Sequence, residues 1–284
     1  MPERKYFIHT VTPLHVGTGR GLGYIDLPIA REKVTNWPYV PGSSIKGVMR
    51  DKYEGDIDEQ DAFNAAFGTS EGGDGTETGN AGSLVFTDAN ILFLPVRSFY
   101  GTFAWVTSPF CLERAKRNTK ANFQVPNPER NTALITSTSV LSHGKIYLEE
   151  LDIEAYELEA VDELAKSLAK ILFHDDKDWQ EIFIKRLAIV DDDIFTFLCD
   201  SGTEVNARIR IDDETRTVKP GALWYEETLP AETILTGSVW CDKVYLDGVN
   251  SDFLLNKYCD GIINLQIGGK ASTGKGRVRC IFEG

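Results

Sequence analysis

An α+β fold is the class this sequence predicts, on three observations. Strand-like and helix-like segments are mixed without strict alternation, which sets aside a doubly wound parallel sheet. The 284 residues are 42% hydrophobic and 11% aromatic, enough to bury a sizeable core and too apolar for global disorder. No segment recurs at a fixed period, which sets aside solenoids and propellers.

Taken in order, Lys5–Val11 is β-rich and predicts a first strand, running into a loop where Gly17, Gly19, Gly21 and Gly23 alternate. Asn36–Val40 predicts a short strand closed by Pro41-Gly42. Ser43 or Ser44 is then expected to cap a helix from Ile45 to about Tyr53, with a second helix near Glu59–Phe67. Thr69–Gly82 is small, polar and glycine-rich, the composition of a mobile surface loop. Leu84–Val96 and Tyr100–Val106 predict strands, the first nearly all apolar and therefore central in a sheet. Phe110–Lys120 predicts a basic helix, and Asp162–Phe173 and Trp179–Leu187 carry apolar residues at helical spacing. Glu204–Tyr225 predicts a long β-hairpin with its tip at Asp212–Arg216 and too little apolar surface to be a core element. Strand Ile234–Tyr245, a short helix around Asp252–Tyr258, strand Ile262–Ile267, a glycine loop and a last strand Val278–Phe282 complete the chain.

No stretch approaches the ~18–20 apolar residues that a membrane helix needs, and the start MPERKYFIHTVTP lacks a signal-peptide layout. Cys111, Cys199, Cys241, Cys259 and Cys280 are scattered, with no C-x-x-C pair. That pattern argues against a zinc site and a secreted disulfide framework, so a cytoplasmic protein is expected. The net charge of −13 speaks against a nucleic-acid binder if only the total is read. Its distribution does not. Arg4, Lys5, Arg20, Arg31, Lys33, Lys46 and Arg50 face only Glu3, Asp26 and Glu32 in residues 1–50, and Lys270, Lys275, Arg277 and Arg279 face only Glu283 near the C-terminus. The acid lies between them, in Asp51–Glu77 and Glu149–Asp200.

The two basic ends coincide with glycine motifs. In the loop Gly268–Arg277 (GGKASTGKGR) glycines allow backbone amides to approach a phosphate, while Lys270, Lys275 and Arg277 supply charge. Gly269, Ser272, Thr273 and Gly274 complete its anion-binding outline. It nearly spells a Walker A loop but carries Gly276 where that motif has a hydroxyl, and the few residues after it cannot supply the required helix. An NTPase is therefore disfavoured. In PGSSIKGVMRD, Ser43 or Ser44 at a helix start and Lys46 and Arg50 four apart on one face outline a second anion site. The loop from Pro13 to Asp26 brings His15 and Asp26 into one glycine-rich stretch. RNA strand cleavage needs an aligned 2′-hydroxyl, help in removing its proton and stabilisation of developing charge. Asp26 suits orienting that hydroxyl or holding a magnesium ion, and His15 suits acid, base or phosphate-ligand work; turn-stabilising roles for both stay open.

The succession PLHVGTG, YIDLPIAREK, YVPGSSIKGVMRD, NAGSLVFTDANILFLPVRS, FAWVTSPFCLERAKR, GALWYEETLP and GGKASTGKGRV resembles the RAMP superfamily. Within it, the chain is similar to the backbone subunits of type III-B CRISPR effectors, the Cmr complexes. The resemblance spans nearly the whole chain and is weakest in Thr69–Gly82 and Ile146–Asp193. The terminal glycine loop marks the superfamily, whereas LPVRS–FAWVTSP and GALWYEE mark the subfamily. The resemblance implies a single domain over residues 1–284: a modified ferredoxin-like (RRM-like) palm, insertions at about 43–82 and 146–193, and a protruding β-hairpin thumb at about 204–225. It implies a guide RNA (crRNA), a target RNA, other Cmr subunits and further copies of this chain in a filament as partners, and no membrane. It also implies metal-dependent endonucleolytic cutting of target RNA within the complex, with Mg2+ or a similar divalent cation arriving transiently and its protein ligands unspecified.

Asp26 occupies the position of the family's cutting aspartate, His15 and Glu227 resemble residues that assist, and Lys46 and Arg50 match positions that grip guide phosphates. Two alternatives stay open: a non-catalytic RNA-binding scaffold, and a stand-alone guide-processing ribonuclease working without metal. No RRM-type aromatic signature is visible, so RNA recognition is expected to run through backbone and shape.

Overall fold

The computed structural model describes residues 2–19, 21, 23–55, 60–69, 81–119, 123–174, 176–212, 214–244 and 248–283. In chain order the elements are β1 (Glu3–Thr10), β2 (Tyr39–Val40), α1 (Gly42–Tyr53), α2 (Gln60–Phe67), β3 (Leu84–Phe86), β4 (Ala89–Arg97), β5 (Phe103–Thr107) and α3 (Pro109–Thr119). There follow β6 (Thr132–Ile135), β7 (Lys145–Leu148), β8 (Leu151–Glu157), α4 (Glu159–Phe173), α5 (Lys177–Arg186), β9 (Leu187–Val190) and α6 (Asp192–Ser201). The last are β10 (Glu204–Ile211), β11 (Val218–Thr228), β12 (Ile234–Cys241), α7 (Ser251–Tyr258), β13 (Ile262–Gln266) and β14 (Arg277–Glu283).

The α+β class is the one observed. Strands run in the order β13-β14-β1-β12-β4-β5-β9-β6-β8-β7, with β2 attached to β4 and β3 to β12. Neighbours are antiparallel except β5 with β9 and β6 with β8. β1 sits between β12 and β14, pairing Phe7 with Thr236 on one side and Ile281 on the other. That central place explains its apolar run from Tyr6 to Ile8, which is buried. Around β4 and β5 the core is aromatic: Trp105 packs on Phe183, which meets Phe93 edge-on, and Phe173 stacks on Trp179. Each fully buried ring of this kind contributes about 2–3 kcal/mol. Among the described residues no helix is long and apolar enough to cross a membrane.

Three expectations change. Leu84–Val96 is not one strand: β3 pairs with Val239–Cys241 and β4 with Ile234–Thr236, and the chain steps aside between them at Thr87-Asp88. There Thr87 exchanges hydrogen bonds with Ser238 and accepts one from the Tyr6 hydroxyl at 2.6 Å. Helix α1 is not capped by Ser43 or Ser44; Pro41 precedes it without a side-chain cap, and the Gly42 N–H donates to Asp88 Oδ1 at 2.8 Å. The 234–245 strand ends at Cys241, and Tyr245, like Arg20, Asp213 and most of the glycine-rich stretch expected as a mobile loop (residues 70–80), lies outside the described residues. Residues 146–193, where the resemblance is weakest, supply β8, α4, α5 and β9 and extend the same sheet.

The hairpin is observed, longer by three residues at its base than the 204–225 span. β10 and β11 form a sheet of their own, pairing Ala207 with Tyr225 and Ile209 with Leu223. A bulge at residues 219–222 opposite Arg210 contains Gly221 at φ 73°. The tip is tied by Asp212, whose carboxylate accepts from the Glu214 and Thr215 N–H groups. Val205, Ile209, Ile211, Val218, Leu223 and Tyr225 are all exposed, so the arm stands free of the core. All five cysteines are unpaired and buried. Burial pushes the Cys111 and Cys259 thiols up to about 12.

Candidate functional site

The loop that follows β1 is stitched to the terminal glycine loop and to the base of β11. Gly276 N–H donates to the Pro13 carbonyl at 2.8 Å, Gly269 N–H to that of His15 at 2.9 Å, and Leu14 and Leu229 bond to each other both ways. Further on, Leu27 lies against Glu226 as a short parallel bridge: Leu27 N–H donates to Tyr225 O and Glu227 N–H to Leu27 O, both at 3.0 Å. The two glycine motifs of the sequence, at opposite chain ends, are therefore one surface. Antiparallel pairing of β1 with β14 dictates this, because the loops leave the same end of adjacent strands.

Asp26 is exposed, and its Oδ2 accepts from the Tyr225 N–H at 2.8 Å. That bond takes one of the two carboxylate oxygens, so the side chain is oriented and keeps further acceptor capacity. His15 is 6% exposed. Its Nδ1 lies 2.7 Å from the Glu227 carbonyl, which only accepts, so Nδ1 carries the proton. A Cβ on Gly17 would stand 2.7 Å from His15 Nε2, so the loop closes over the ring only with glycine there. Glu227 is 3% exposed. Its carboxylate accepts from Arg31 Nη2 at 2.6 Å, Thr203 Oγ1 at 2.9 Å and Ile29 N–H at 3.1 Å. The three residues are brought together, but in unlike settings: Asp26 faces solvent, His15 pins loops together, and Glu227 is committed to a buried ion pair.

The terminal loop takes the turns its glycines permit. Gly268, Lys270, Gly274 and Gly276 have φ of 77°, 69°, 80° and 81°, and Ala271–Thr273 form one 3-10 turn. A Cβ at position 276 would overlap the Ile267 carbonyl oxygen, which is a packing reason for the glycine that breaks the Walker A pattern. Several loop amides are already used internally: Thr273 N–H and Lys275 N–H donate to Lys270 O, and Gly274 N–H to Ala271 O. Ser272 and Arg277 are exposed. Lys270 Nζ pairs with Glu226 at 2.8 Å, and Lys275 Nζ lies 3.8 Å from Glu204.

Helix α1 packs on β3 and β13. Lys46 and Arg50 are both partly buried. Lys46 Nζ donates to the carbonyls of Leu84 at 2.8 Å and Gly82 at 3.2 Å. Burial, and then the Arg50 charge, lower its pKa. The amino end of α1 meets the Asp88 carboxylate, and Ser44 lies in the first turn with its N–H donating to Pro41 O. The anion site expected at this helix start is thus occupied by the chain's own carboxylate, because β3 and β4 diverge at Asp88; Arg50 is the better placed cation.

Sequence reasoning missed Glu226. It is 4% exposed, and its carboxylate accepts from Trp224 Nε1 at 2.7 Å, Lys270 Nζ at 2.8 Å and Arg208 Nε at 3.3 Å. Burial works against its ionised form, but Lys270, Trp224 and Arg208 outweigh it and hold its pKa below the ordinary value. The period-two rule puts Glu226 on the face of Trp224, away from Glu227; nothing local indicates Lys270. Among the described residues no cluster of three or more His, Cys, Asp or Glu side chains could hold a metal ion. The donor set fits a magnesium ion only in the form that ion often takes, one carboxylate (Asp26) with the remaining oxygens from substrate phosphate and water.

Residues 7–279 match the RAMP superfamily. The chain is 37% identical over 289 residues to the CRISPR system Cmr endoribonuclease Cmr4 of Pyrococcus furiosus, covering 97% of this chain and 94% of that protein. In structure it is similar to crystalline oligomeric Cmr4 from Pyrococcus furiosus, with a TM-score of 0.72 and 28% identity over 99% of this chain and 98% of that one. A chain of the type III-B Cmr-beta complex bound to cognate target RNA shares the fold, with a TM-score of 0.78 and 21% identity over 99% and 97% of the two chains.

Proposed function

Because this chain belongs to the RAMP superfamily, we propose that it is the guide-gripping backbone subunit of a type III-B CRISPR effector, and that it cuts target RNA paired to the guide. Its partners on this reading are crRNA, target RNA, other Cmr subunits and further copies of itself. The sheet around β1 acts as a modified ferredoxin-like palm, and the β10–β11 arm as the thumb that interrupts the duplex. The observation that carries the cutting role is the oriented, solvent-facing Asp26 carboxylate beside the thumb base and the basic terminal loop.

Asp26 orients the 2′-hydroxyl or takes its proton as the 2′-oxygen attacks the adjacent phosphorus. The P–O5′ bond breaks, the 5′-oxygen leaves with a proton from solvent and a 2′,3′-cyclic phosphate forms, while Lys270, Lys275 and Arg277 hold the phosphate backbone in register. His15, with its Nδ1 proton fixed on the Glu227 carbonyl, offers Nε2 as its second ring position. Glu227 holds Arg31 and the 27–31 segment and serves by position. A divalent cation held by Asp26 and RNA oxygens would supply charge neutralisation at the phosphate.

Asp26→Asn tests this. The asparagine oxygen still accepts from Tyr225 N–H, so the loop keeps its place. In the assembled complex, target cutting falls by more than ~100-fold while guide affinity stays within about twofold, and a chelator stops wild-type cutting without releasing guide. Normal cutting by the variant assigns the chain to the scaffold role. Cutting by the lone chain in the presence of chelator assigns it to metal-free guide processing.

A further inference from the structure

We propose that Glu226 is a positioning residue for RNA cutting: it locks the terminal glycine loop to the base of the hairpin and thereby holds the strand on which Asp26 and His15 are aligned. This rests on the reading of Asp26 as the cutting residue.

Glu226 lies at the junction of three pieces of chain. Its own backbone bridges Leu27, next to Asp26. The peptide N–H before it, that of Tyr225, is the group that orients the Asp26 carboxylate at 2.8 Å. The carbonyl after it, that of Glu227, fixes the His15 ring at 2.7 Å. The side chain points to the opposite face of β11 and holds Lys270 of the terminal loop and Trp224 and Arg208 of the hairpin. A carboxylate that is 4% exposed and bonded to two cations is costly to bury and strongly directional once paired. No other described residue both bonds the terminal loop through its side chain and borders the peptide groups that orient Asp26 and His15. A hairpin projecting from the core as freely as this one would otherwise transmit its motion to Tyr225 and so to Asp26. Displacements near 1 Å at a reacting group cost about 100-fold in rate.

Glu226→Gln keeps the shape and an oxygen that can still accept from Trp224 and Lys270, but it removes the charge that pairs with Lys270 and Arg208 and turns an amide NH2 towards Arg208. The measurement is the single-turnover rate constant of the assembled complex, with guide and target both saturating. A partly misfolded preparation then lowers the amplitude and leaves the rate constant alone. The expected result is a rate constant lowered by about 10–100-fold, with guide affinity within about twofold of wild type because Lys270 remains to meet phosphate. Glu226→Asp, which keeps the charge on a shorter arm, recovers part of the rate. A wild-type rate constant for Glu226→Gln overturns the proposal. So does a loss of guide affinity as large as the loss of rate, which would make Glu226 part of the grip. Asp26→Asn is run alongside: if it cuts normally, the cutting-site reading fails, whereas if it is inactive and Glu226→Gln is not slowed, only the positioning role fails.

Discussion

Lys46 and Arg50 are four apart on one helix, but the structure sets them differently. Lys46 directs its ammonium at the carbonyls of Gly82 and Leu84, and so closes the entry of β3 as much as it adds charge. Arg50→Ala should therefore weaken every guide by a similar factor and reduce the salt slope of binding by roughly one unit. Lys46→Ala should change that slope less and lower stability by ~1 kcal/mol, because two carbonyls lose their donor. Thermal melting and guide titrations across salt separate the two outcomes; a loss that depended on guide sequence would mean that these residues read bases. At this scale the sequence was half legible. Asp26 and His15 stand out because glycines surround them, and the basic pair stands out by its spacing. Asp88 at the start of α1 and Lys270 on Glu226 are contacts between segments 46 and 44 residues apart, for which no local pattern exists.

The hairpin is the element whose sequence spoke most clearly. Its length, its charged tip and its poverty of core residues all predicted an arm, and the arm is there, with its apolar side chains exposed. Replacing Ile211–Val218 by a short Asn-Gly turn should leave the melting temperature nearly unchanged, since a solvent-facing tip adds little to the core. The same change should disturb the regular spacing of cuts on an end-labelled target; an unchanged ladder would place the spacing device elsewhere. Other elements were invisible for physical reasons. β6 and β9 are runs of four buried residues, too short for periodicity to declare a strand. The run Asp191-Asp192-Asp193 reads as a solvated charge cluster but works as a set of caps. Asp191 accepts from Ile194 N–H to start α6 and from Asn131 N–H, and Asp192 accepts from Phe110 N–H at the start of α3.

For the whole molecule, the proposed function sets a net charge of −13 against an anionic guide and against neighbouring copies of equal charge. On the proposed function the exposed Arg277 and the half-exposed Lys270 meet the first requirement, where the loop after β1 joins the terminal glycine loop. The second predicts opposite responses to salt. Raising ionic strength from about 50 to about 300 mM should strengthen self-association of the RNA-free chain by screening like charge, and weaken guide binding by reducing counterion release. Sedimentation and guide titration over one salt series check both signs. Self-association that weakened with salt would show that copies meet through complementary charge, acidic middle against basic end.

The five buried cysteines give the molecule a built-in stopwatch. A thiol reacts as thiolate, and burial that pushes Cys111 and Cys259 to about 12, and Cys199 and Cys280 well above the ordinary value, leaves almost none ionised at neutral pH. Alkylation of the folded chain should therefore be slow at all five positions. Each cysteine that becomes alkylated dates the opening of the layer above it: Cys111 for α3, Cys199 for α6, Cys280 for the strand beside β1. Alkylation timed by mass spectrometry would thus record the order in which the sheet and its helices come apart, with the native sequence serving as its own set of probes.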